Sequence, residues 1–176
     1  MKFFITLLFI FASICTQCQD LDNLDRKMGF NKFKLESSFD IYKANLKLND
    51  IDDKVKFYDY TGSDVSSVFG ISYDKITLGF YNNKLYTISI TFLYTTERDD
   101  AILQNKLKEL FGFTKTSNDV KTPSGAEYEW AMQWESKKVL LQVEKYNISS
   151  KTSPPWLTEI FMYSKKMRSE ILNDSF

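Results

Sequence analysis

The chain has 176 residues, 23 basic and 23 acidic side chains, no histidine and two cysteines. That length fits one domain, and balanced charge offers no basic footprint for a nucleic acid. Both cysteines, Cys15 and Cys18, fall in an apolar N-terminal stretch that reads as removable, which leaves no thiol or imidazole for catalysis, zinc or disulfides.

The N-terminal stretch begins with Lys2 and continues as twelve apolar residues from Phe3 to Ile14. A positive start before an apolar run of this length is the pattern of a secretory signal, and the run is too short to cross a bilayer. Thr16 and Cys18 place small residues three and one positions before a cut at Gln19, so 1–18 is expected to be the signal peptide. The alternative is a lipoprotein signal with Cys18 acylated, or Cys15. The expected location is therefore secreted, periplasmic or cell envelope, with contact to membrane only through such an anchor. Cleavage removes one lysine and no acid, leaving a net charge of −1.

Residues 19–29 are polar and acidic and read as a flexible lead-in. The remaining 30–176 read as one domain. Ser37 or Ser38 is placed to cap a short helix to about Leu46, with Phe39, Tyr42 and Leu46 along one side. A turn at 49–53 precedes a strand at Val55 and Phe57, and 64–69 reads as a helical turn closed by Gly70. Ile76, Leu78 and Phe80 alternate, as do Tyr86, Ile88, Ile90 and Phe92. Matching those apolar sets predicts pairs Phe80–Tyr86, Leu78–Ile88 and Ile76–Ile90, hence an odd loop rather than two residues at Asn82-Asn83.

Thr96, with Asp99 three residues on, caps the clearest helix, which Gly112 ends. Residues 113–126 read as loop. Tyr128, Trp130, Met132 and Trp134 alternate, then Val139, Leu141 and Val143, and a two-residue loop would pair Trp134–Val139, Met132–Leu141 and Trp130–Val143. Pro154-Pro155 enforces extension before a last strand through Leu157, Glu159, Phe161 and Tyr163, with Ile160 and Met162 on its other side. A helix through Met167, Ile171 and Leu172 ends the chain, and the basic run at 165–168 reads as a solvated element end. The expected fold class is α+β: a single antiparallel sheet of five to six strands built from hairpins, with two helices mainly on one face.

No catalytic constellation stands out. Glu127, Glu129 and Glu135 are the first carboxylates to weigh for acid–base hydrolysis of a glycan, but they alternate with Tyr128, Trp130, Met132 and Trp134, as any amphipathic strand does. Ser72-x-x-Lys75 precedes a strand, where residues three apart face oppositely. The Asp50-Asp52-Asp53 and Glu97-Asp99-Asp100 groups lack calcium-loop order, and the glycines form no phosphate loop. No cofactor is expected. Asn147 and Asn173 head N-glycosylation sequons.

Aromatic content is the unusual feature. After cleavage 24 rings remain in 158 residues, more than a sheet covered on one side readily buries. Tyr58, Tyr60, Tyr73, Tyr81 and Trp156 fall off the main stripes or in turns and are the candidate binding surface, because such rings bring contact area at little entropic cost.

Phe33-Lys34-Leu35 before a capped helix, Val68-Phe69-Gly70, and the Ile76-Thr77-Leu78-Gly79-Phe80 … Lys84-Leu85 hairpin form an order over about 30–112. In this the chain resembles small uncharacterised secreted or lipoprotein domains of Bacteroidetes-type bacteria. Such domains often carry Leu-Gly where this chain has Leu35-Glu36. The resemblance implies no activity. The functional expectation is a monomeric, non-catalytic extracytoplasmic domain that binds an unknown protein or glycan, the alternative a carboxylate-dependent hydrolase of an envelope glycan.

Overall fold

The computed structural model describes residues 21–116, 128–147 and 156–174. The elements in chain order are α1 (Leu21–Lys27), β1 (Gly29–Phe30), β2 (Phe33–Lys34), β3 (Leu46–Asp52), β4 (Val55–Tyr60), β5 (Lys75–Tyr81), β6 (Lys84–Leu93), α2 (Glu97–Phe111), β7 (Lys115–Thr116), β8 (Tyr128–Glu135), β9 (Val139–Asn147), β10 (Trp156–Ser164) and α3 (Lys165–Asp174). The α+β architecture is present, but one sheet of five to six strands with two helices on one face is not. A two-stranded sheet, β1-β2, accompanies an eight-stranded antiparallel sheet in the order β3-β4-β5-β6-β10-β9-β8-β7, seven of whose strands are six residues or longer. Three α-helices are described, and they lie on both faces.

The extra strands come from segments whose side chains carry little signal. Residues 46–52 were expected to hold a helix end and a turn. Instead, Ser38 caps a brief 3-10 turn at Phe39–Ile41, a second follows at Lys43–Asn45, and β3 begins at Leu46. β3 is exposed almost throughout and carries Lys47, Asp50 and Asp52, the charge expected of a sheet edge that must not recruit another strand. Its order comes from backbone pairing with β4, shifted by an irregularity between Leu48 and Asp50. At 64–69 no helical turn forms; Phe69 and Gly70 both take positive φ, and Val68 and Ile71 bridge. Residues 29–34, read as lead-in and domain start, make the small hairpin.

The β5–β6 hairpin corrects the expected loop. Asn82 and Asn83 both take positive φ (47° and 60°) and form a two-residue turn between Tyr81 and Lys84, the conformation that matches strand twist and that asparagine tolerates. Phe80 therefore pairs with Leu85, not Tyr86. Tyr86 is then the extra residue of a bulge, after which Leu78–Ile88 and Ile76–Ile90 pair as the apolar pattern requires. The β8–β9 hairpin is offset by two residues from the expected register: Trp134 pairs with Leu141 and Met132 with Val143. A two-residue offset preserves facing, so the apolar sets still meet.

β10 lies between β6 and β9 at the centre of the sheet. Its Ile160 and Met162 join Ile88, Ile90, Phe92, Met132, Trp134, Leu141 and Val143 on the inner face. α2 closes this face with Leu103, Leu107 and Phe111, and α1 adds Leu24. The expected capping box of α2 is present, with Thr96 Oγ1 accepting from Asp99 N–H and Asp99 accepting from Thr96 N–H; Gly112 ends the helix at φ 74°. α1 is tied down by Asn23 Nδ2 donating to Leu110 O (2.7 Å) and by Asp25, which accepts from Ser136 Oγ (2.5 Å) and Lys138 N–H (2.9 Å).

On the outer face, α3 covers the β4–β6 side. Met167 packs on Val55 and Tyr81, flanked by Phe57, Tyr86 and Ile171. Gly79 sits beneath this cover: a Cβ there would lie 2.5 Å from Thr87 Cγ2 and 2.9 Å from the Phe57 ring. Replacing Gly79 with alanine is expected to cost about 1–3 kcal/mol through overpacking. Urea denaturation of Gly79→Ala should show a lower midpoint with an unchanged slope.

Candidate functional site

On the outer face of β9 and β10, Gln142 and Glu144 are buried while Glu159, Phe161 and Tyr163 are partly exposed. Alternation places Gln142, Glu144 and Tyr146 of β9 beside Glu159, Phe161 and Tyr163 of β10, opposite the core residues Leu141, Val143, Ile160 and Met162. Tyr86 reaches in from the β6 bulge and Arg168 from α3. Together these eight residues line a groove of about 360 Å³.

Glu144 and Glu159 are directly opposed in the β9–β10 register. Glu144 is 5 % exposed, and Gln142 Nε2 donates to its Oε2 (3.0 Å). Thr91 donates to Glu159 Oε1 (3.0 Å) and the Tyr146 hydroxyl to its Oε2 (2.5 Å). The rings of Tyr86 and Tyr163 stand 6.1 Å apart and tilted by 44°. The Arg168 guanidinium lies 5.0 Å from the Tyr163 ring centre and donates to the Tyr163 hydroxyl. Burial pushes both phenols above the usual tyrosine range, against the opposite pull of Arg168. Both are therefore neutral hydrogen-bonding groups at neutral pH.

The tyrosines expected to form a binding surface lie elsewhere. Tyr58 packs against Phe39 and Phe80 (centroids 5.1 and 5.8 Å) in the inner layer. Tyr60 is buried beside Phe33, and its hydroxyl donates to Asp64 (2.5 Å) under Lys32 Nζ. Tyr73 packs on the core and donates to Val65 O. Tyr81 does face outward but is 2 % exposed, covered by α3 and bonded to Asp174. Trp156 opens β10 and its side chain lies outside the described residues, as do Glu127, Cys18 and the whole 1–18 segment. Glu129 and Glu135 share no cleft: Glu129 pairs with Lys145 (3.0 Å) and Glu135 with Lys165 (2.7 Å). Within the basic run at 165–168, Lys165 pairs with Glu135, Met167 is buried and Arg168 lies over Tyr163.

The groove residues were written in the sequence as the alternate positions of two strands. Glu159, Phe161 and Tyr163 share one side of β10, but Ile160 and Met162 are as apolar. The pattern alone does not say which side meets the core.

A second polar cluster is buried on the inner face. Lys145 Nζ bonds to Asp100 Oδ2 (2.7 Å) near the N-terminus of α2, and also pairs with Glu129. Burial alone would lower the Lys145 pKa, but bonds from Asp100 and Glu129 outweigh it and raise it. Asp100 Oδ1 and Trp130 Nε1 are buried with no hydrogen-bond partner. This cluster pins α2 to the β8–β9 hairpin.

No described helix is long and apolar enough to cross a membrane, and no group of three metal-ligating side chains occurs among the described residues. Fold and site together define an antiparallel α+β domain with a helix-packed inner face and an outer-face groove lined by rings and acids. No family model, curated protein or solved structure matches the chain.

Removing Asp100 would leave the buried Lys145 charge with the half-exposed Glu129 in place of two carboxylates, so Asp100→Ala is expected to cost about 1–3 kcal/mol. Asp100→Ala with Lys145→Met should recover much of that loss, and a double-mutant cycle by chemical denaturation checks it. Because the folded pKa of Lys145 is raised, its contribution is complete below the unfolded value of about 10.4 and is lost as pH rises through the folded value. The wild-type stability curve should therefore fall above that pH more steeply than that of the double variant.

Proposed function

We propose that this chain is a non-catalytic extracytoplasmic binding domain that takes a protein or glycan on the open outer face of β9 and β10. The observation that carries the reading is the groove itself, where Phe161 and three tyrosines converge with Glu144, Glu159, Gln142 and Arg168. Concave sites rich in rings with a few convergent polar groups are the usual form of a ligand site. Lys2 followed by the apolar run to Ile14 supports export by a cleaved signal, with acylation of Cys18 as the other route. We also place the chain beside the small secreted and lipoprotein domains of Bacteroidetes-type bacteria that its 30–112 segment resembles.

One observation favours a second reading, a carboxylate-dependent glycan hydrolase. Glu144 and Glu159 stand opposite each other on neighbouring strands, and glycosidases act with two carboxyl groups about 5–10 Å apart. Glu144 and Glu159 would take those roles, in place of Glu127, Glu129 and Glu135.

Cross-linking and recovery of the tagged protein from envelope and culture fluid tests the first reading. Phe161→Asp should lose the cross-linked species that the wild type captures, with its circular dichroism unchanged; equal capture by both would reject the groove. Release of reducing ends from envelope glycans, lost in both Glu144→Gln and Glu159→Gln, would favour the hydrolase. The intact mass of the exported protein separates a Gln19 start from an acylated cysteine.

A further inference from the structure

We propose that a second pocket, at the β1–β2 hairpin, binds an amphipathic organic anion, an apolar chain that ends in a carboxylate or a phosphate. The pocket is separate from the outer-face groove and shares no lining residue with it.

Four stretches of chain meet there: the end of α1, the β1–β2 hairpin, the turn at Phe69 and the last turn of α2. They surround about 440 Å³, within the usual range for small-ligand sites. Phe30, Phe69 and Leu110 form an apolar wall, and all three are only partly buried. The Phe30 and Phe69 rings meet edge to face at 5.4 Å.

The backbone is committed to holding that wall. Phe69 takes φ 55°, a left-handed conformation rare for so bulky a residue. Strained residues of this kind gather at ligand clamps and functional sites, and this one presents a ring to a pocket. The hairpin is closed tightly enough that a Cβ on Gly29 would lie 2.1 Å from Phe33 O.

The rim is a second and independent argument. Lys27 and Lys34 line the pocket and are exposed. Among the described residues neither ammonium forms an ion pair or a hydrogen bond. Lys32 lines the same pocket, but its ammonium is engaged by Tyr60 and Asp64. No acidic side chain is among the lining residues. A lysine lays its stem on apolar surface and keeps its charge at the water, so Lys27 and Lys34 extend the wall and supply two free cations at its edge.

Wall and rim together select for a ligand with two unlike ends. Inorganic phosphate would use the lysines and leave the rings in water. A neutral chain would use the rings and gain nothing from the lysines. A cationic chain would meet like charge. A chain with an acidic head uses both, and carboxylate and phosphate heads present the same chemistry to an ammonium.

Calorimetric titration of the purified protein at low salt, below micelle-forming concentrations and at two temperatures, distinguishes these cases. The probes are octanoate, octyl phosphate, 1-octanol, octylammonium, acetate and inorganic phosphate. Octanoate or octyl phosphate is expected to bind one to one, and the tighter of the two identifies the head group. The alcohol should bind at least tenfold more weakly, with that advantage shrinking as salt rises, and acetate and phosphate not measurably. From butanoate to octanoate the affinity should rise about fourfold per methylene. Lys27→Gln combined with Lys34→Gln should bring octanoate down to the level of octanol, while Lys47→Gln on the exposed β3 should change nothing. Phe69→Gly should weaken octanoate at least tenfold. Phe30→Ala gives the same readout should Phe69→Gly fail to fold.

Equal binding of octanol and octanoate, or of octylammonium and octanoate, would overturn the acidic head. Phosphate binding as tightly as octanoate would overturn the apolar tail. Octanoate binding unchanged by both the lysine pair and the ring variants would overturn this pocket as its site. No heat with any probe at either temperature would overturn the proposal outright. Each of these outcomes leaves the outer-face groove standing, since cross-linked capture tests it separately.

Discussion

The pairing of β10 with β6 is the contact on which the rest of the molecule depends. It joins the last strand to one laid down long before it in the chain, from Leu157 opposite Leu93 to Tyr163 opposite Thr87. Without it the chain holds two separate meanders, β3 to β6 and β7 to β10. With it β10 becomes the central strand, bonded on both edges, and the inner face becomes one continuous apolar layer that α2 can seal. The register also sets facing, because a slip of one residue would move Ile160 and Met162 outward and Glu159 inward.

That pairing creates the two unequal faces. The inner face is closed by α1, α2 and the segment around Phe33, Leu35 and Tyr42. On the outer face α3, running on directly from β10, folds back over Val55 and Tyr81. What remains open holds the two acids, the three tyrosines and Phe161, and the aromatic surplus of the sequence is partly accounted for there. The rest of the surplus lies in the inner layer, where Phe39, Tyr42, Tyr58 and Phe80 stack edge to face and tilted.

The two buried polar clusters divide the labour. Lys145 and Asp100 are enclosed and mutually compensated, with the half-exposed Glu129 as a second partner, and they hold α2 to the sheet. Glu144 with Glu159 sits at an accessible groove and joins like charges. The first arrangement stabilises a contact within the protein. The second lines the groove that carries the functional argument.

Local chemistry was legible in the sequence wherever neighbours in the chain decide the outcome. Thr96 and Asp99 cap α2, Gly112 ends it, and the apolar positions of β5, β6, β8 and β9 face one layer. Wherever the deciding partner is distant, the sequence was silent or misleading. β3 has side chains that prefer no sheet and exists because β4 offers its backbone. Tyr86 looked like the partner of Phe80, but the Asn82-Asn83 turn claimed two residues and pushed Tyr86 into a bulge and so into the groove. The alternation of β10 was plain, but both of its sides are apolar, so only packing against α2 could declare Ile160 and Met162 interior and leave Glu159, Phe161 and Tyr163 outside. Composition by itself removed thiol and imidazole chemistry from the folded domain if its signal is cut after Cys18. The tertiary structure alone brought Glu144 and Glu159 face to face, because strand pairing joins residues by register and not by their distance along the chain.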